Sequence, residues 1–163
     1  MKKTLFLLLV VCLIPAFCFA DVTEFHFNSC TVLFFDDWGF VEYTENFEKL
    51  SSQDRMFYNP QGDVFLFSVF SDVNNLPQNK NTDLFISANT IIKNFQAPDG
   101  SSVVTLGEID DCPRITIVDE SDSLSKTQWF IFTGEEIIYI GFQSSDKYRA
   151  REYNSALYNT KIH

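Results

Sequence analysis

The sequence predicts an α+β fold: a central, mainly antiparallel sheet covered by helices on both faces, an α/β/α sandwich. Strand-like apolar runs and two amphipathic helical stretches follow one another as strands, helix, strands, helix. The run "WFIFTGEEIIYIGF", residues 129–142, becomes apolar on both faces once it is folded back at its polar tip. The two helical stretches are the only large pieces left to cover it.

The first element lies outside the fold. In "MKKTLFLLLVVCLIPAFCFA", Lys2 and Lys3 make a positive start, 5–14 an apolar stretch, and Pro15 a break. Cys18 and Ala20 then place small residues three and one before a cleavage point. This predicts a signal peptide over 1–20 cleaved before Asp21, a periplasmic or secreted protein with a bacterial lean, and one domain over 21–163. The apolar stretch is shorter than the roughly 20 residues of a membrane span, so no stable membrane insertion is expected after cleavage. A lipoprotein is disfavoured by Phe17 directly before Cys18.

After the leader, "EFHFNSCTVLFF" alternates well enough to predict one long strand over 24–35, running into "DDWGFVEY". "DRMFYNPQGDVFLFSVF" is two apolar runs split by Asn59, Pro60, Gln61, Gly62 and Asp63, which is turn chemistry and predicts a hairpin. Residues 71–81 are polar and predict a loop. In "TDLFISANTIIKNFQ", Leu84, Phe85, Ala88, Ile91, Ile92 and Phe95 share one face of a helix, with Thr82 as cap and Pro98, Asp99 and Gly100 as its end. "SSVVTLGEI" and "RITIVDES" predict strands on either side of "DDCP". A closing helix begins at "SDKYRAREYNSALYNTKI", capped by Ser145, with Ala150, Tyr153, Ala156, Leu157 and Thr160 inward.

The 129–142 hairpin has a definite expected register. With Gly134 and Glu135 as the central residues of a type II′ turn, Phe132 faces Ile137, Ile131 faces Ile138, Phe130 faces Tyr139 and Trp129 faces Ile140. Phe130, Phe132, Ile137 and Tyr139 then share one face, and Trp129, Ile131, Ile138, Ile140 and Phe142 the other.

The element order, the "DDWG" Trp after the first strand, the "CPRITIV" strand, the "QWFIFTGEEIIYIGF" hairpin and the closing helix together resemble the PsbP-like sandwich. That superfamily includes the photosystem extrinsic P subunit and bacterial periplasmic DcrB-like proteins. Many of its members carry a Pro shortly before the first Trp, where this chain has Asp36 and Asp37. The resemblance spans most of the chain after the leader and implies a small non-catalytic binding or accessory protein. It supplies no site residues.

Charge narrows the function further. The leader holds two of the 12 basic residues and none of the 22 acidic ones, so the remainder carries 10 basic against 22 acidic residues, a formal −12. Such a surface repels nucleic acid and anionic lipid; it either serves to keep an exported protein soluble or suits a basic protein partner. No cofactor, metal site or catalytic set is expected: the two histidines, His26 and His163, stand far apart in sequence, and no G-x-S-x-G elbow is present. "DESD" at 119–122 lacks the Gly and distant Glu of an EF-hand loop. The cysteines after the leader, Cys30 and Cys112, are a candidate disulfide in an oxidising compartment, with two separate buried thiols as the alternative.

The expected function is therefore an exported, non-catalytic binding or accessory protein of the bacterial envelope. It engages a protein through an acidic or aromatic surface, an immunity-type role against a basic toxin being one version. Candidate binding residues are Asp36 and Asp37 with Trp38 and Phe40, Phe57 and Tyr58 beside the Asn59 turn, and Asp110 and Asp111. The alternative is an exported hydrolase built on paired carboxylates among the acidic clusters.

Overall fold

The computed structural model describes residues 21–45, 53–70, 83–134 and 136–163, with the side chains of 83–88 excepted. The leader, the 71–81 loop, the Thr82 cap and Glu135 of the hairpin tip lie outside the described residues. Ten strands and two α-helices are present among them. In chain order they are β1 (Val22–His26), β2 (Cys30–Phe35), β3 (Val41–Glu42), β4 (Arg55–Tyr58), β5 (Val64–Phe70), α1 (Asp83–Phe95), β6 (Val103–Ile109), β7 (Cys112–Glu120), β8 (Ser125–Phe132), β9 (Ile137–Ser144), α2 (Lys147–Leu157) and β10 (Lys161–Ile162).

Seven strands form one antiparallel sheet in the order β3-β4-β5-β9-β8-β7-β6. Its centre is the 129–142 hairpin in the expected register, Phe132 opposite Ile137 and Trp129 opposite Ile140. Gly134 supplies the positive φ of the turn, 95°, and Thr133 N donates to Glu136 O at 3.1 Å. The two expected faces are two separate apolar clusters. Trp129, Ile131, Ile138, Ile140 and Phe142 belong to the larger; Phe130, Ile137 and Tyr139 belong to the smaller, with Phe132 packed against it.

The expected long strand over 24–35 is in fact two. Phe27 N donates to Cys30 O at 2.8 Å, and β1 folds back on β2 with His26 opposite Thr31. Asn28 and Ser29 take the turn, and the period-2 pattern hides it because both arms alternate. With the two-residue β10, these strands make a second, three-stranded sheet, β1-β2-β10. That sheet and α2 together meet the Trp129 face: Cys30, Val32 and Phe34 from the small sheet and Ala150, Tyr153, Ala156 and Leu157 from the helix share one core. The sequence suggested helices as the only cover; on this face the small sheet takes a share of it. On the opposite face, Ile91 and Ile92 near the end of α1 join Ile115, Ile117, Phe130 and Tyr139. Gln128 donates its side-chain amide to Phe95 O at 3.2 Å, satisfying a carbonyl at the helix end.

Two local expectations shift. α2 is capped by Asp146 rather than Ser145: the Asp146 carboxylate accepts from Tyr148 N at 2.8 Å and Arg149 N at 3.4 Å. Cys30 and Cys112 form no disulfide; both are free thiols. Cys30 lies opposite Ile162 in the small sheet and Cys112 opposite Ile109 in the large one, and each packs as a small apolar residue in the same core.

Candidate functional site

The aromatic candidates separate by register. Trp38, in a 3-10 turn over Asp36–Trp38, is buried against Phe34, Phe35, Phe40 and Tyr153. Phe57 is fully buried among Phe25, Phe27, Phe34 and Phe65. Phe40 is half-buried on Phe34, Phe65 and Tyr153. These three are core residues, drawn inward because the small sheet needs rings to fill the space above the large one. Tyr58, one residue on, points the other way and is 45% exposed.

Tyr58 has neighbours that composition did not single out. Its partners across the sheet are Val41, 50% exposed, and Val64; Met56 and Leu66 are the next pair on the same face. Tyr43 continues the strip: its backbone N donates to Met56 O at 2.7 Å, and its ring stands 6.0 Å from that of Tyr58, edge to face. The Tyr43 hydroxyl donates to Glu45 Oε2 at 3.0 Å, and that hydrogen bond, with the nearby carboxylate charge, raises its pKa. The result is an apolar and aromatic strip along β3, β4 and β5, on the face away from α2, with an acid at its rim. The signal in the sequence was alternation: Met56 and Tyr58, like Val64 and Leu66, lie two apart.

The acidic candidates do not converge. Asp36 accepts from Thr23 Oγ1 at 2.6 Å, and Asp37 is exposed beside it. Asp110 and Asp111 have φ of 49° and 61°, which is the backbone of a type I′ turn joining β6 to β7. Asp110 Oδ2 also accepts from Ile162 N at 3.0 Å and so ties β10 to that turn. Asp119 receives the Ser102 hydroxyl, and Glu120 approaches Arg151 at 3.9 Å. Among the described residues, no group of three or more His, Cys, Asp or Glu side chains is arranged to hold a metal ion.

Both histidines meet the same hydroxyl. His26 Nδ1 lies 3.0 Å and His163 Nε2 2.8 Å from Thr31 Oγ1, with Thr31 itself buried. The contact joins β1, β2 and the end of the described chain.

Sequence reading missed the fully buried Asp63. It accepts from Arg149 Nε at 2.8 Å, Tyr153 Oη at 2.7 Å and Asn59 Nδ2 at 3.1 Å. Burial alone would push its carboxyl up; the Arg149, Tyr153, Ser144 and Asn59 hydrogen bonds outweigh that and bring it down to about 2. Arg149 and Tyr153 lie 86 and 90 residues away along the chain, so no local pattern announces them.

This architecture has a counterpart among solved structures. The solution structure of the cyanobacterial PsbP protein CyanoP from Synechocystis sp. PCC 6803 superposes with a TM-score of 0.61, over 91% of this chain and 96% of that one, at 9% identity. The fold is PsbP-like. A crystal structure from Bacteroides thetaiotaomicron VPI-5482 superposes on this chain with a TM-score of 0.50 at 16% identity, over 82% of this chain and 45% of that one. No family model and no curated protein sequence matches the chain. Among the described residues, no helix is long and apolar enough to cross a membrane.

Proposed function

We propose that this is an exported, non-catalytic accessory protein that binds another protein at the strip formed by β3, β4 and β5. In this reading α1 and α2 are helical layers on opposite faces of the large sheet, and the strip is the part of the outer face beyond α1. The observation that carries the proposal is Tyr58, half-exposed beside Val41 and Tyr43 and rimmed by Glu45. Amphipathic tyrosines with an apolar neighbour give contact area at low entropic cost. The excess of acids favours a basic partner, and an immunity-type role against a basic toxin is the version we favour.

A Val41→Ser/Tyr58→Ser double variant tests it. Immobilised wild type is expected to hold a partner from envelope extract at low salt, to release it in part at high salt, and to lose it in the double variant. Equal capture by both proteins at every salt concentration would place the partner elsewhere. A hydrolase built on paired carboxylates has less support, because Asp36 and Asp110 are engaged by Thr23 and Ile162 N. Asn at Asp110, Asp111, Asp119 and Asp122 would abolish hydrolysis if that alternative held, and would leave any activity untouched if it did not.

A further inference from the structure

Among the described residues, five buried side-chain polar atoms have no hydrogen-bond partner: Trp38 Nε1, Arg114 Nε, Arg114 Nη1, Thr116 Oγ1 and Thr160 Oγ1. Three of the five sit on Arg114 and Thr116, two residues apart on β7 and therefore on the same face of the sheet. Buried polar groups are nearly always paired, and an unpaired cluster points to a missing water or ion.

The charge says which. Arg114 is 5% exposed and Thr116 6%. A guanidinium keeps its charge throughout the ordinary pH range. Its Cζ lies 4.2 Å from the centroid of the Trp129 ring and 4.6 Å from that of Tyr158, two rings that meet each other edge to face at 5.0 Å, so the cation packs against both. Nη2 donates to Tyr158 Oη at 3.1 Å. No carboxylate among the described residues pairs with it, in a chain with 22 acidic residues. A water would satisfy a donor and leave the charge unmet, whereas an anion does both.

An approach can be traced. Gly107 of β6 lies opposite Arg114, and a Cβ there would stand 3.0 Å from Nη2, so any side chain would crowd the guanidinium. Tyr158 covers it from the other side as the residue that ends α2, and is itself 55% exposed. A swing of that ring would give up its hydroxyl contact, its place over the cation and its edge contact with Trp129, which a bound anion would have to offset. We propose that Arg114 and Thr116, with Tyr158 as a movable cover and Gly107 leaving room for the guanidinium, form a binding site for a small oxyanion, a carboxylate or phosphate group. The acidic surface opposes entry of anions in general, so the site selects for ligands that its donors can hold. It lies on the α2 side of the sheet, away from the strip proposed to bind a protein, and each proposal can fail without the other.

Trp129 is the reporter. In a Trp38→Phe background it is the only tryptophan, since the chain has two. Titration with inorganic phosphate and, separately, sodium acetate is expected to change Trp129 emission with saturation at concentrations on the order of millimolar. Sodium chloride at matched ionic strength is expected to leave it unchanged. The arm that saturates first identifies the ligand as phosphate or carboxylate. Arg114→Gln, checked for fold by far-ultraviolet circular dichroism, is expected to weaken the response at least tenfold. Thr116→Val, which removes one hydroxyl and keeps the cation, is expected to weaken it less. No saturable response to either anion, an equal response to chloride, or an undiminished response in both Arg114→Gln and Thr116→Val would overturn the site.

Discussion

Tyr153 Oη donates to the Asp63 carboxylate at 2.7 Å, and this bond ties α2 to the turn that opens β5. Arg149, one helical turn earlier, reaches the same carboxylate through Nε and Nη2. Asn59, at the start of the turn, adds its side-chain amide and accepts Asp63 N at 2.8 Å. Burial first, and then the Asp63 bond and charge, push the Tyr153 hydroxyl pKa up, so the pair stays phenol and carboxylate.

Asp63 therefore makes stability depend on acid. Its folded-state pKa, about 2, is lower than that of an unfolded Asp, so the unfolded chain takes up the proton first. The associated stability is fully present above about pH 4 and is lost as pH falls towards about 2. The contribution is on the order of 2 kcal/mol. Urea unfolding at a series of pH values is expected to show that loss in wild type, and a smaller one over the same window in Asp63→Asn. Asp63→Ala, which strands Arg149 and Tyr153, is expected to cost about 3–5 kcal/mol at pH 7.

The two tryptophans predict opposite outcomes for one substitution. Trp129 Nε1 donates to Asn154 Oδ1 at 2.9 Å, and its ring carries the Arg114 cation; Trp38 Nε1 is buried without a partner. Trp38→Phe removes an unsatisfied N–H along with some packing, and the two effects offset, leaving stability within about 1 kcal/mol. Trp129→Phe strands Asn154 and weakens the cation stack, for a cost of about 2–4 kcal/mol. Chemical denaturation of the two variants side by side measures the difference.

The thiols should behave as their burial dictates. Burial pushes the Cys30 thiol up to about 12, and burial, followed by the charges of Asp110 and Asp111, raises that of Cys112. Iodoacetamide at pH 8 is expected to leave Cys30 untouched in the native protein and to modify half-buried Cys112 slowly. Unfolding in urea without reductant should expose both, as read by peptide mass spectrometry. Resistance of both to alkylation until reductant is added would contradict the free thiols.

Legibility in the sequence followed the range of each interaction. The 129–142 hairpin could be read to the residue because its turn is local and every opposed pair is apolar. The Asn59 to Asp63 turn was equally plain: Asn59 N donates to Asp63 O at 3.2 Å and Gly62 has φ 82°. The second sheet escaped because Phe25 and Phe27 keep the alternation of Val32 and Phe34 across the Asn28 and Ser29 turn. β10 is only two residues long and depends on β2 and Asp110 for its place. At the candidate site, Phe57 and Tyr58 look alike in composition, and one step of register sends the first into the core and the second to the surface. Arg114 could not be recognised as isolated until the neighbours of its charge were known.

Gly141 shows how tightly the smaller core is filled. It lies opposite Gln128 on β8 and Leu66 on β5, and a Cβ on it would stand 2.7 Å from Tyr139 Cζ. The Tyr139 ring thus lies over a position that tolerates only hydrogen, and its hydroxyl donates to Gln128 Oε1 at 3.4 Å. Burial of that hydroxyl pushes its pKa up to about 12. Gly141→Ala forces the ring aside, away from Gln128 and into Phe95 and Phe130, whose centroids lie 6.2 Å and 5.1 Å from its own. Overpacking of this kind costs about 1–3 kcal/mol. A second change that shortens the ring, Tyr139→Leu, should recover part of the loss in the Gly141→Ala background while costing stability on its own. A double-mutant cycle measures this coupling, and additive effects would mean that the ring does not lie over Gly141.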